Sequence, residues 1–235
     1  MKRDILFQFS ICFLAFLLLF ALFGPTFRHN YADPIALPHQ SPGAFSWLGT
    51  DEQGRDILAR LAYGARISLI VGLIVQIIGL TIGTAVGVAS VFAPRWISQP
   101  LMRFTDAMFA FPGLLIAILI IGVWDSSSIT IGNWETTIIP VIVALAIGSW
   151  PSIARLVKNQ VETLKDREFV VASRALGAST VYLVFKHIIP QLWGILLAVS
   201  IIDIAGVILS EGTLSFLGIG VQAPEPSWGS MVNNA

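Results

Sequence analysis

Five long runs without a charged side chain constrain this chain more than any other feature. They cover Ile5 to Phe27, Ile67 to Pro94, Ala107 to Trp124, Thr136 to Ala154 and Ile188 to Ser210, the last interrupted only by Asp203. A hydrocarbon layer about 30 Å thick takes roughly 20 apolar residues at about 1.5 Å each to cross, and each run is that long or nearly so. Buried helices of soluble proteins keep a polar face and rarely exceed about 10–14 apolar residues in a row. Charged residues are 12% of the chain, against roughly 25% in soluble domains, and they cluster between the runs. The predicted fold is an all-α polytopic membrane protein with five transmembrane helices. Their expected limits are about 5–27, 67–93, 105–124, 137–156 and 188–210.

Lys2 and Arg3 followed by an apolar run resemble a signal peptide, but the run is too long for an h-region and no A-x-A-like site precedes Arg28. A retained signal anchor is predicted. The basic residues then set the orientation, because Lys and Arg accumulate on the cytoplasmic side of short loops. With the N-terminus cytoplasmic, the inner segments hold Lys2, Arg3, Arg95, Arg103, Arg155, Lys158, Lys165, Arg167, Arg174 and Lys186, ten of the 14 basic residues. The lone cysteine, Cys12, lies in the first run, so no intrachain disulfide can form.

The outer segment, 28–66, begins as a Pro- and His-containing loop and is expected to turn helical. Thr50 and Gln53 fit a capping box, and Ile57, Leu58 and Leu61 share a face, with Arg55, Asp56 and Arg60 pointing elsewhere. Such a helix is expected to lie on the membrane surface and lead into span two. In that span Gly79, Gly83 and Gly87 recur every four residues and give a smooth face for close helix packing. Pro112 and Pro140 are expected to bend spans three and four.

The segment 157–187 is basic, and too long for a plain connection between antiparallel helices. Pro151 is expected to start one helix, Glu168 to Leu176 to form a second ended by Gly177, and Tyr182 to Ile188 to begin a third, with Pro190 marking entry into the membrane. Several short helices at one membrane face predict a docking site for another protein. Asp203 and Glu211 are candidates for lining a translocation path, since carboxylates within a membrane are costly and usually functional. The bland alternative gives Asp203 an interhelical hydrogen bond and leaves Glu211 at the interface.

Enzyme motifs are missing. The sequence has no G-x-x-x-x-G-K-[ST], no H-E-x-x-H and no G-x-S-x-G, and His29, His39 and His187 are scattered. A secondary transporter or channel is the rival class, although the inverted repeats common in such folds are not visible.

Three sets of residues carry a family resemblance. Val171-Ala172-Ser173-Arg174-Ala175-Leu176-Gly177, followed after nine residues by His187-Ile188-Ile189-Pro190, resembles the EAA loop of ABC-importer permeases. That loop reads Glu-Ala-Ala, three residues, Gly, nine residues and an Ile-x-Leu-Pro-like ending. Here Val171 stands in place of the glutamate, Ser173 in place of the second alanine, and His187 at the isoleucine position. Trp47 to Asp56, Leu214 to Gly218 and Pro226 to Met231 are similar to signatures of dipeptide, oligopeptide and nickel permeases, in the "C"-type subunit.

The resemblance implies a single transmembrane permease domain over 1–235 and a fold with one span more than the five visible here, leaving open a fragment or a truncated subunit. It implies a bacterial plasma (inner) membrane location. The expected partners are a second permease subunit, two cytoplasmic ATP-binding subunits and an external substrate-binding protein, with lipid around the spans and no nucleic acid. The implied role is half of a translocation path for di- or oligopeptides, with nickel as the alternative. No cofactor is expected on this chain, since ATP and Mg belong to the ATPase partners. Glu168, Val171, Ala172, Ser173, Arg174, Ala175, Gly177, His187 and Pro190 become the expected ATPase-coupling residues, and Val171 is expected to dock by packing instead of ion pairing.

Overall fold

A computed structural model describes residues 2–26, 29–124, 138–223 and 225–233. Arg28, the loop expected between spans three and four, the first residues of span four and Pro224 lie outside the described residues. The described chain is helical, with isolated bridges only between Pro34 and Arg55 and between Thr50 and Asp56. Among the described residues, four helices are long and apolar enough to cross a membrane, or five if one bent pair is a single span. The described residues pack as two compact units, one drawn from 2–71, 138–141 and 208–233, the other from 72–124 and 142–207. Several helices contribute to both.

Helix α1 (Lys2–Phe23) passes into a short 3-10 turn at Gly24–Thr26, as the first apolar run predicts. Its side chains from Ile5 onward are mostly exposed, which suits contact with lipid tails.

Helix α2 (Ile57–Phe92) corrects the expectation for the outer segment. The Thr50–Gln53 capping box does not form. Instead, Thr50 Oγ1 donates to the Leu37 carbonyl at 2.7 Å and accepts the Gln40 N–H at 2.9 Å. The helix starts at Ile57, where the Asp56 carboxylate accepts the Leu58 N–H at 3.1 Å. From there it runs unbroken for 36 residues, about 54 Å at 1.5 Å per residue. The separate surface helix is therefore the first part of α2. Hydropathy located where the charges end, and the backbone hydrogen bonds continue through them.

Span three is not a kinked helix. Helices α3 (Arg95–Met108) and α4 (Gly113–Val123) meet at 89° across a four-residue break. Pro112 caps α4 in extended geometry, because a proline restricts its neighbour and cannot donate to a continuing helix. Only the 11 residues of α4 remain of the long apolar run in that direction.

Helix α5 (Ile138–Leu164) absorbs the predicted fourth span and the start of the basic segment. Pro151 lies inside it and does not begin a new helix. Around it, Ser149 Oγ donates to the Ala146 carbonyl at 3.0 Å and Ser152 Oγ to the Ser149 carbonyl at 3.1 Å. Pro140 stands in the first described turn, where a missing N–H breaks no internal bond of the described helix.

The glycine seam of α2 forms against α5 as predicted. A methyl at Gly79 would lie 2.6 Å from Ser149 Oγ, at Gly83 2.7 Å from Ile153 Cβ, and at Gly87 2.6 Å from Val157 Cβ. Backbone approach of this kind replaces the hydrophobic drive that lipid removes. Beside it, Ile153, Val157 and Val161 of α5 join Val184, Ile188, Leu192 and Leu196 in a buried apolar cluster.

After α6 (Glu168–Ala175) the chain rises continuously through α7 (Thr180–Leu183), a π-turn at Val184–Ile188 and α8 (Ile189–Phe216). Pro190 does not interrupt this run. The π-turn takes the strain off: Ile189 N–H reaches back five residues to the Val184 carbonyl, widening the helix just before the proline ring. Helix α8 continues to Phe216, beyond the expected end of span five at 210, so Glu211 belongs to the helix. The final short helix is α9 (Trp228–Asn233), where Trp228 Nε1 donates to the Leu61 carbonyl at 3.2 Å.

Candidate functional site

The segment between α5 and α8 presents most of the residues expected to couple to a partner. Helix α6 forms for local reasons. Arg167 is extended ahead of it, Glu168 occupies the first turn and Arg174 the last, matching both ends of the helix dipole. Its end closes as two backbone bonds, Gly177 N–H to the Arg174 carbonyl at 3.0 Å and Ala178 N–H to the Ser173 carbonyl at 3.1 Å. That closure needs a left-handed residue, and Gly177 has φ of 88°. Ser179 then caps α7, accepting the Tyr182 N–H at 3.3 Å.

Within this segment the residues divide into an anchored and an offered face. Val170 is fully buried, and Leu183 and Ile188 are nearly so. Glu168, Val171, Ala172, Arg174, Ala175, Gly177 and Pro190 are exposed. The exposed apolar side chains include Leu176 at 90% and Val171 at 50% of their free area. Small Ala172 and Ala175 beside them allow another surface to approach the helix backbone.

Ser173 and His187 are brought together. Ser173 Oγ lies 3.1 Å from His187 Nε2, and either tautomer of the ring supports that bond. The imidazole also lies between two aromatic rings, Phe169 tilted at 5.9 Å and Tyr182 edge-on at 5.7 Å. No sequence pattern pointed to this contact, although both residues are departures from the motif.

The two membrane carboxylates are satisfied inside the protein. Asp203, half-buried, takes a side-chain hydrogen bond from Gln76, and Gln76 Nε2 also donates to Ser200 Oγ at 3.1 Å. Gln76 of α2 is the neighbour that an interhelical bond to Asp203 would use. Glu211 has no exposed area. Its carboxylate accepts Ser68 Oγ at 3.2 Å and Ser215 Oγ at 2.7 Å, and Ser215 Oγ in turn accepts the Val221 N–H at 3.0 Å. Glu211 thus fastens the residues that follow α8 to α2. Gln76 and Ser200 were missed by sequence reasoning; a lone amide within an otherwise apolar run was the available signal.

Basic Arg155 is also partnered. It contacts Asp106 at 2.5 Å and covers the Phe109 ring at 4.1 Å, joining α5 to the end of α3. Both side chains are about half exposed, so the pair contributes little by charge alone.

The Trp47–Asp56 signature folds as a polar knot. The Asp51 carboxylate meets Arg55 Nε at 2.7 Å and Arg60 Nε at 3.3 Å, and accepts the backbone N–H groups of Gln53 and Arg55, each at 2.9 Å. Burial would raise the Asp51 carboxyl, but these N–H groups and the Arg55 guanidinium outweigh it and hold it below the ordinary aspartate value. Arg55 and Arg60 are buried rather than turned outward as expected. Gly54, with φ of 76°, permits the tight turn against the Ala36 carbonyl.

Among the described residues, no three His, Cys, Asp or Glu side chains gather in a metal-binding arrangement.

Comparisons with known proteins agree with the motifs. The family described as binding-protein-dependent transport system inner membrane component matches residues 77–235. The oligopeptide transport system permease protein OppC of Bacillus subtilis is 37% identical over 96% of this chain and 71% of its own length. The dipeptide transport system permease protein DppC of the same organism is 35% identical over 100% and 71%. The glutathione transport system permease protein GsiD of Pectobacterium atrosepticum is 36% identical over 90% and 66%. In structure, a chain of the inward-facing MetNI methionine ABC transporter superposes with a TM-score of 0.60 and 20% identity, covering 73% of this chain and 78% of that one.

Proposed function

Given that this chain belongs to the binding-protein-dependent transport system inner membrane component family, and is a permease subunit of an ATP-driven importer, we propose that it carries short peptides. The names of its relatives support that cargo: they are permeases of oligopeptide, dipeptide and glutathione systems. A nickel complex is the less supported alternative.

In this reading the chain pairs with a second, different permease and two cytoplasmic ATPase subunits, and receives cargo from an external binding protein. Its N-terminus is cytoplasmic, which puts α6 on the ATPase side. One observation carries the coupling role: α6 offers exposed Val171 and Leu176 beside small alanines, while Val170 holds its other side in the protein. An ATPase groove meeting this face is apolar where others of the family meet a glutamate. Closure of the ATPase pair on nucleotide would push α6 and rock the spans between inward-open and outward-open states. Asp203 and Glu211 then act as internal fasteners more than as path-lining charges, and cargo selection falls to the binding protein.

The test is uptake of a radiolabelled tripeptide into vesicles containing the whole complex. Uptake should require ATP and the binding protein, and should stop on ATP depletion with the ion gradient intact. Surviving uptake would favour a secondary transporter. Topology is tested separately by placing a cysteine at Ala178 in a Cys12→Ser background. A membrane-impermeant thiol reagent added to intact cells should fail to label it.

A further inference from the structure

The geometry points to Ser173 and His187 as a positioning pair that ties helix α6 to the transmembrane helix α8, so that displacement of α6 reaches the span. This inference rests on the coupling role proposed above and names the residues that transmit the motion. Backbone and side chains both connect α6 toward α8. The first is the backbone turn at 176–179. It is thinly supported: Leu176 is 90% exposed, and a methyl placed on Gly177 would meet nothing within 4 Å. A turn with no packing around it bends under load.

The second route is through side chains. Ser173 sits two residues before the end of α6, and its hydroxyl bonds His187 Nε2 at 3.1 Å. His187 belongs to the π-turn, whose Val184 and Ile188 are set in the buried cluster with Leu192 and Leu196 of α8 and with Ile153, Val157 and Val161 of α5. A force on Ser173 therefore arrives at residues that cannot shift without moving the span. Phe169 and Tyr182, one from each side of the turn, confine the imidazole so that the bond is not lost by rotation of the ring.

The sequence adds an independent indication. Ser173 and His187 are two positions where this chain departs from the loop it resembles, and they are bonded to each other. Alanine at one and isoleucine at the other could pack, but neither could make this bond.

The experiment uses the complete importer in vesicles and measures tripeptide taken up per ATP hydrolysed. Ser173→Ala and His187→Ile should each lower that ratio about two- to tenfold, the range expected from losing one hydrogen bond. The double variant should be no worse than the worse single one, because both remove the same bond. His187→Gln, which keeps a hydrogen-bonding group near Ser173, should recover part of the ratio. An unchanged ratio in both single variants would overturn the inference, as would effects that add. A parallel fall in complex yield and hydrolysis, without rescue by glutamine, would also overturn it by showing a merely structural role. ATP-independent uptake by the unmodified complex would instead refute the transport reading itself.

Discussion

The 29–56 segment and the 165–188 segment are both connections between long helices, yet they keep their shapes by opposite means. The first has almost no helix and is knotted from within. Asp51 gathers two buried arginines, Thr50 bridges Leu37 and Gln40, and Ser46 Oγ bonds Asp56 at 2.9 Å. The second is mostly helical, draws on the Ser173–His187 bond and the Ser179 cap, and leaves much of its apolar surface outside. A segment that satisfies its own charges has a shape independent of any partner. A segment that exposes Val171 and Leu176 has surface left over for one. The difference separates a scaffold from a contact.

That contrast can be broken most directly at Asp51. Asp51→Ala leaves Arg55 and Arg60 buried without their shared carboxylate, and should destabilise the 29–56 segment by about 3 kcal/mol. Hydrogen exchange of the amides from Ile35 to Leu58 would read that loss, with the 168–189 amides unchanged. Gly54→Ala should follow at about 2 kcal/mol, since positive φ and the Ala36 carbonyl both oppose a methyl there. Gly177→Ala has the same φ problem but open space, and should cost about 1 kcal/mol in thermal unfolding of detergent-solubilised protein. Equal costs at the two glycines would show that the 29–56 segment is not packed as tightly as described.

Acid gives a milder test of the same knot. The Asp51 carboxyl is held below its unfolded value, so its contribution is complete above about pH 4. It fades as the pH falls through the depressed folded value. Exchange protection over 49–57 should fall across that acidic window and be flat from there to neutrality. Protection that fell on raising the pH would reverse the sign and contradict the arrangement. The smallest effect is expected from Val171→Glu, at an exposed site, with stability changed by less than about 0.5 kcal/mol. Affinity for the ATPase subunit should drop if the facing groove is apolar, measurable by co-purification.

Much of this was legible in sequence because hydropathy and spacing are local quantities. The apolar runs located the spans, the Gly79–Gly83–Gly87 repeat located a seam, and Gly177 marked the end of α6. What local quantities lack is direction. Charges at Arg60 and Arg66 ended the apolar run but not helix α2, whose hydrogen bonds do not depend on hydropathy. The run from Ala107 to Trp124 read as one span, although the chain turns by 89° within it. Partner choice was equally invisible: Gln76 with Ser200, Glu211 with Ser68, and Ser173 with His187 are 124, 143 and 14 positions apart. Pro151 was read as a helix start because proline suits a first turn, yet it lies inside α5, and Pro190 follows a wider turn through which the helix continues.

The π-turn before Pro190 has a consequence for how such chains tolerate length change. A π-turn is geometrically one surplus residue in an α-helix. Deleting a single residue between Val184 and Ile188 would let the helix close into regular α form, and everything N-terminal to it would swing about 100° around the axis. Helix α6 would then present a different side to the same neighbours. Substitutions here alter a contact, whereas a one-codon deletion would re-aim the entire segment while leaving the composition of the span almost untouched.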